Sequence, residues 1–228
     1  YSRYKEIISI SSATTENLRK YIKISCPIDT ISNGIDVERY SAAVPVERKN
    51  IGCKNDTFLL MMVPGFRYQK DQDTIIRALT LLPKNVQLCL VGDGDRRVEC
   101  KELVKRLNLE ERVVFTGVRS DIPNVLKAAD VVVMSSHLEG FGLAAVEGMA
   151  AGKPVVASDV VGLRDIVKNY GCVFPQGDER RLAEIVERLK NDSNFYKTLA
   201  GQCYLRSKDY DISKTIDSYI DVYESIVK

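Results

Sequence analysis

From about residue 57 the chain alternates short apolar runs with helix-spaced stretches, and this rhythm constrains its fold more than any other feature. "TFLLMMV", "VQLCLV", "RVVFTG", "DVVVMSS", "PVVASD" and "GCVFP" are rich in β-branched and other apolar residues, with few polar interruptions. Such runs suit strands buried on both faces, as in a parallel sheet covered by helices. Between them, "DTIIRALTLL", "VECKELVKRLNL", "IPNVLKAA" and "LAAVEGMAA" place apolar residues at i, i+3 and i+4. Pro83, Gly94, Gly117, Pro123 and Gly152 punctuate the units. About six strands with intervening helices predict an α/β fold, a Rossmann-like doubly wound parallel sheet. After Gly177 the strands stop, and "DERRLAEIVERLKND", "SNFYKTLAGQCYLRSKD" and "ISKTIDSYIDVYESIVK" read as a C-terminal segment of consecutive helices.

The first part of the chain is more irregular. "KEIISISSATTENLRKYI" reads as a strand followed at once by a capped helix, and such a start at Tyr1 suggests a fragment. "IDTISNGIDVERY" reads as a short strand and a turn at Asn33-Gly34, more linker than core. Composition narrows the partners: 228 residues, 45% hydrophobic and 28% charged, are ordinary for a soluble globular protein. A formal net charge of +2 gives no argument for nucleic acid. The six cysteines are scattered without a C-x-x-C pair and read as reduced thiols of a cytosolic protein. No apolar run approaches a membrane span, and no signal-peptide pattern opens the sequence.

In an open α/β sheet, ligands bind beyond the carboxyl ends of the strands. Three such ends carry unusual residues. "PGFRYQKDQDT" delivers Arg67 and Lys70, "GDGDRR" follows the next strand, and "HLEGFGLAAVEGMAAG" follows "DVVVMSS". In the third, Gly140 and Gly142 let the backbone approach a ligand, and the amides of Phe141, Gly142 and Leu143 are free first-turn donors. With the helix dipole they make an anion site suited to phosphate. Glu139 and Glu147 flank it and would repel a phosphate, so they suit hydroxyl groups on either side. A hydroxyl-rich group at each end of a diphosphate describes a nucleotide sugar. Taken alone, Glu147 reads more readily as a solvated helix residue and the glycines as turn chemistry. Lys70 at a neighbouring strand end favours the ligand reading. "GDGDRR" lacks the third glycine of a dinucleotide fingerprint. Tyr204, Tyr210, Tyr219 and Tyr223 read as packing or surface residues, and Arg180, Arg181 and Arg188, alternating with acids, as a solvated face.

"EGFGLAAVEGMAAGKPVVASD" resembles the E-x7-E signature of the retaining GT-B glycosyltransferases called family 4, or group 1. "VGDG", "VVFTGVRSDIPNVLKAADVVVMSS" and "VGLRDIV" fall in that family's order and spacing, and "IDTISNGID" resembles its interdomain linker. The resemblance covers nearly the whole chain. It implies two Rossmann-like domains facing across a cleft. Residues 1–40 would be a remnant of the N-terminal acceptor domain with the linker, and 41–228 the nucleotide-sugar-binding domain. It further implies that Glu139 contacts the transferred sugar, Glu147 the ribose, Lys70 and the amides of Phe141, Gly142 and Leu143 the diphosphate. Backbone near Val118 and Arg119 would face the base, with Gly92, Asp93 and Gly94 lining the site. The family's arginine five residues before the lysine is replaced here by Gly65, which leaves Arg67 as a nearby substitute. His137, the only histidine, reads as a loop residue beside the donor pocket and not as a catalytic base.

The expectation is therefore a glycosyltransferase acting on a UDP- or GDP-sugar, with Glu139 and Lys70 at the reacting centre and no metal or other cofactor. Its acceptor would be a glycan or lipid-linked glycan of a bacterial surface polysaccharide, held by the missing domain. It would work in the cytoplasm or at the inner face of the membrane. The alternatives are a nucleotide-sugar epimerase of similar fold and a non-catalytic nucleotide-sugar binding module.

Overall fold

A computed structural model describes residues 4–63 and 65–227; Tyr1, Pro64 and Lys228 lie outside them. The described chain begins with β1 (Ile7–Ser9), α1 (Ser12–Tyr21) and β2 (Ile28–Thr30). Ser11 caps α1 by accepting the Thr14 amide at 3.1 Å. The short helix α2 (Val37–Ser41) follows, capped by Asp36. Then come β3 (Phe58–Met62), α3 (Gln72–Leu81), β4 (Val86–Val91), α4 (Arg97–Arg106), β5 (Val113–Gly117) and α5 (Ile122–Ala128). They lead to β6 (Val131–Met134), α6 (Leu143–Ala150), β7 (Val155–Ser158), α7 (Arg164–Val167) and β8 (Cys172–Phe174). The chain closes with α8 (Glu179–Asn191), α9 (Ser193–Ser207) and α10 (Ile212–Val227).

Among the described residues the strands form two sheets. β1 and β2 pair in parallel by themselves, while the second sheet has six strands in the order β5-β4-β3-β6-β7-β8. Every pairing in the second sheet is parallel. The expected doubly wound sheet is thus present, with its strand order reversing between β3 and β6. The apolar runs follow from coverage on both faces. Along β3, Leu59 and Met61 enter one buried cluster with α5 and α6, while Leu60 and Met62 enter the other with α3 and α8. All four side chains are at most 1% exposed.

The segment 28–40 departs in part from expectation. No turn forms at Asn33-Gly34: residues 31–34 carry no regular structure, and Ile35 makes a parallel bridge to Asp211. The Ile35 amide donates to Tyr210 O and the Ile212 amide to Ile35 O, both at 2.9 Å. Gly34 is needed for close approach, since a Cβ there would stand 2.4 Å from Thr215 Oγ1 and 2.7 Å from Ile212 Cα. The segment also contributes to the core. Ile35, Val37 and Tyr40 are buried in the large core, because tertiary packing against α6 and the start of α10 overrides the local turn preference of Asn-Gly. Among the described residues no disulfide joins the six cysteines, and four of them are buried.

Candidate functional site

The loops after β3 and β4 are zipped together. The Phe66 amide donates to Asp93 O at 3.0 Å and the Arg96 amide to Phe66 O at 3.1 Å. Gly94 lies at φ +153°, and a Cβ there would stand 2.6 Å from Phe66 O. That explains the glycine of "GDG" by backbone approach. The arrangement holds a 3₁₀ turn, residues 68–70, which ends in Lys70 at the carboxyl end of β3. Asp71 follows in the left-handed region at φ 46° and caps α3, accepting the Thr74 amide and hydroxyl. Burial pushes the Asp71 carboxyl above its usual range. His137 faces it with Nε2 at 3.6 Å, and its Nδ1 meets Gln176 at 2.7 Å.

Across the reversal point, β6 runs into Ser135, Ser136 and the loop to α6. Ser135 donates to Asp71 O at 2.7 Å, tying this loop to the one after β3. Glu139 forms an ion pair with Lys70, and Ser136 donates to the same carboxylate oxygen at 3.0 Å. The pair is largely covered, with side chains 24% (Lys70) and 10% (Glu139) exposed. A pair so shielded from water is electrostatically stronger than a surface one. Gly162 of "VGLRDIV" supports the loop from below, since a Cβ there would stand 2.3 Å from Glu139 O. Gly142 is the N-cap of α6 at φ 107°, with no side-chain cap, and a Cβ would collide with Leu163 Cδ2 at 2.7 Å. The Phe141 ring turns away into the core, edge-on to Tyr210 at 5.5 Å. Phe141 can therefore offer a ligand its amide and not its ring.

These elements enclose a cavity of about 350 Å³ lined by Lys70, Glu139, Gly140, Phe141, Gly142 and Leu143, with Ile10 and Asn33 contributed by the N-terminal segment. The structure thus brings together five of the expected site residues: Lys70, Glu139, Phe141, Gly142 and Leu143. The remainder lie outside the cavity lining. Arg67 is exposed at the β3 end, Gly92, Asp93 and Gly94 follow β4, and Val118 and Arg119 follow β5. Since these strands are neighbours, about 4.8 Å apart, the residues extend the same carboxyl edge sideways. Val118 is 78% exposed. Arg119 is held in a two-point pair with Asp121 at 2.8 and 2.7 Å. Glu147 sits one turn after Leu143 on α6, where it accepts the Tyr40 hydroxyl at 2.7 Å. Burial raises the Glu147 pKa and the Tyr40 bond opposes that shift.

Tyr40, Ser136, Gly162, Asn33 and Ser11 were not anticipated as parts of this region. Ser11, the cap of α1, also donates to Gly140 O at 2.8 Å and so joins the N-terminal segment to the cavity loop. Gly162 had a sequence signal in its place in "VGLRDIV", as had Ser136 at the end of "DVVVMSS" and Asn33 in "IDTISNGID". Among the described residues, no group of three or more His, Cys, Asp or Glu side chains converges as a metal site would require. Nor is any helix long and apolar enough to cross a membrane.

Residues 44–204 match the family model described as glycosyl transferases group 1. A glycosyltransferase of Methanocaldococcus jannaschii is 32% identical over 83% of this chain and 52% of that protein. In Escherichia coli, UDP-Gal:alpha-D-GlcNAc-diphosphoundecaprenol alpha-1,3-galactosyltransferase is 30% identical over 88% of this chain and 54% of its own length. Among solved structures, Anabaena Alr3699/HepE in complex with UDP and glucose superposes with a TM-score of 0.90 at 27% identity, covering 97% of this chain and 63% of that one. The chain spans about half the length of the curated relatives it matches.

Proposed function

The chain belongs to the glycosyl transferases group 1, and on that premise we propose that it is the donor-binding part of a retaining, family 4 glycosyltransferase. Its donor is a UDP- or GDP-sugar. UDP is favoured because HepE, a neighbour at 27% identity, was crystallised with UDP and glucose. The observation that carries this reading is the cavity at the strand-order reversal, where Lys70 and Glu139 face the uncapped start of α6. A ligand edge of this kind is where an open α/β sheet binds its substrate.

In this reading the diphosphate lies on the amides of Phe141, Gly142 and Leu143 and draws Lys70 toward its oxygens. Breaking the sugar–phosphate bond builds negative charge on the leaving diphosphate, and these fixed donors stabilise it. The positive charge comes from the chain, so the reaction uses no metal. Glu139, partnered by Lys70 in the structure, is then placed to accept from the sugar and to support charge on its anomeric carbon. Glu147 accepts from the ribose, and backbone at Val118 and Arg119 borders the base. Residues 1–40 belong to the acceptor domain and linker, and 41–228 form the donor domain. The acceptor, a glycan or lipid-linked glycan, is held by the upstream domain that the longer relatives' length leaves room for. The enzyme works in the cytoplasm, peripheral to the inner face of the membrane.

Calorimetric titration of this chain with UDP, GDP and their sugars tests the reading. A saturable 1:1 isotherm for one nucleoside diphosphate, with no sugar transferred by the chain alone, is expected. Absence of nucleoside diphosphate binding, or robust transfer without an upstream domain, would overturn it.

A further inference from the structure

We infer that Tyr40 is a positioning residue for Glu147, its hydroxyl holding one carboxylate oxygen so that the other is presented to the ribose of the donor. The inference rests on the proposed function and extends it to a residue on a different element. Tyr40 stands on α2 and is 9% exposed with its ring in the large core. Asp36 caps the helix through the Arg39 amide at 2.9 Å, which fixes the start of the helix that carries the ring. Its hydroxyl donates to Glu147 Oε1 at 2.7 Å.

A glutamate on a helix surface otherwise samples several rotamers, and ordering them on binding weakens affinity. A donor built into the core removes that cost before the ligand arrives. It also occupies one oxygen only, leaving Oε2 and a lone pair of Oε1 for the two ribose hydroxyls. The same bond stabilises the charged carboxylate in a half-buried place, where burial alone would favour its neutral form, a poorer acceptor.

The test is calorimetry on the whole chain with UDP and with its 2′,3′-dideoxy counterpart. Tyr40→Phe keeps the ring and its packing and removes only the hydroxyl. It should weaken UDP binding about three- to tenfold, the cost of ordering one freed side chain on binding. Binding of the dideoxy compound should be unchanged. In a Glu147→Ala background, Tyr40→Phe should have no further effect on either ligand. Equal weakening of both ligands would overturn the inference, since Tyr40 would then act on the fold at large. So would penalties that add in the double variant. If Glu147→Ala weakens UDP and Tyr40→Phe does not, this inference alone falls. If neither UDP nor GDP binds, or Glu147→Ala leaves the affinity of the one that binds unchanged, the ribose assignment fails and takes this inference with it.

Discussion

Two helices begin side by side at the carboxyl edge of the sheet, and they begin differently. α3 starts on Asp71, whose carboxylate accepts the Thr74 amide and hydroxyl, so one of its first-turn amides is satisfied from within. α6 starts on Gly142, which has no side chain to cap anything. Both follow strands at the order reversal, and both N-caps lie in the left-handed region. The difference is in what each leaves for an outside group. A self-capped helix spends its donors on the fold, while a glycine-started helix keeps them for an anion. Lys70 stands between the two, directly before Asp71 and paired across to Glu139.

Removing Lys70 should break the contrast most severely. Lys70→Ala leaves the α6 start without its nearby cation, and loss of one charge-assisted contact in the transition state costs about 2–4 kcal/mol. In the enzyme complete with its acceptor domain that is about 30- to 1,000-fold in turnover, read by steady-state kinetics. A change under threefold, with Arg67→Ala severe instead, would move the phosphate contact to Arg67. The Arg67 Nε lies 3.9 Å from where a Gly65 Cβ would stand, so its guanidinium already reaches back toward that position.

Glu147→Gln tests the second turn of α6. A hydrogen bond to a charged group contributes about 1.5–3 kcal/mol, so UDP affinity should fall tenfold or more. The wild-type pH profile sharpens this. Because the folded-state pKa of Glu147 is raised, UDP binding should decline as pH falls through a value above the usual glutamate range, while the Gln variant stays flat. Stability moves oppositely: between the ordinary and the raised pKa the folded state holds more protons, so this carboxylate costs stability as pH rises. Calorimetric melting at neutral pH should therefore find Glu147→Gln no less stable than wild type.

Asp71→Ala attacks the self-capped side. Loss of a cap costs about 1–2 kcal/mol of stability, a fall in Tm of about 2–8 °C. UDP affinity, measured on the folded variant, should change far less than in Lys70→Ala. The smallest effect on nucleoside diphosphate binding belongs to Glu139→Gln. It faces the sugar in our reading, so calorimetry with UDP should find affinity unchanged within about threefold while turnover of the complete enzyme falls. Loss of UDP binding here, with Glu147→Gln silent, would reverse the sugar and ribose sides.

The sheet was legible because a strand covered on both faces must be apolar throughout, and "VQLCLV" or "DVVVMSS" have little other use. The α6 start was legible too, from glycines that no helix interior would favour. The partnerships were not. Tyr40 and Glu147 are 107 residues apart, Ser11 and Gly140 are 129, and Lys70 and Glu139 are 69. Local periodicity contains nothing about which distant side chain arrives. The mistaken turn at Asn33-Gly34 has the same origin. The dipeptide's local preference was read correctly, but the structure uses its glycine to admit Thr215 and Ile212.

The bridge between Ile35 and Asp211 bears on how the chain reaches its folded state. Closing so long a loop in a disordered chain would cost about 4–5 kcal/mol in entropy, against two backbone hydrogen bonds in return. It becomes affordable only after the six-stranded sheet has already brought its ends near one another. The bridge, and the contact of Lys5 with the carbonyl of Ile226 beyond it, should thus form last and open first. Amide hydrogen exchange would then find Ile35 and Ile212 exchanging well before the β3 amides. The two ends of the chain would behave as a late-closing seam on a sheet that is complete without them.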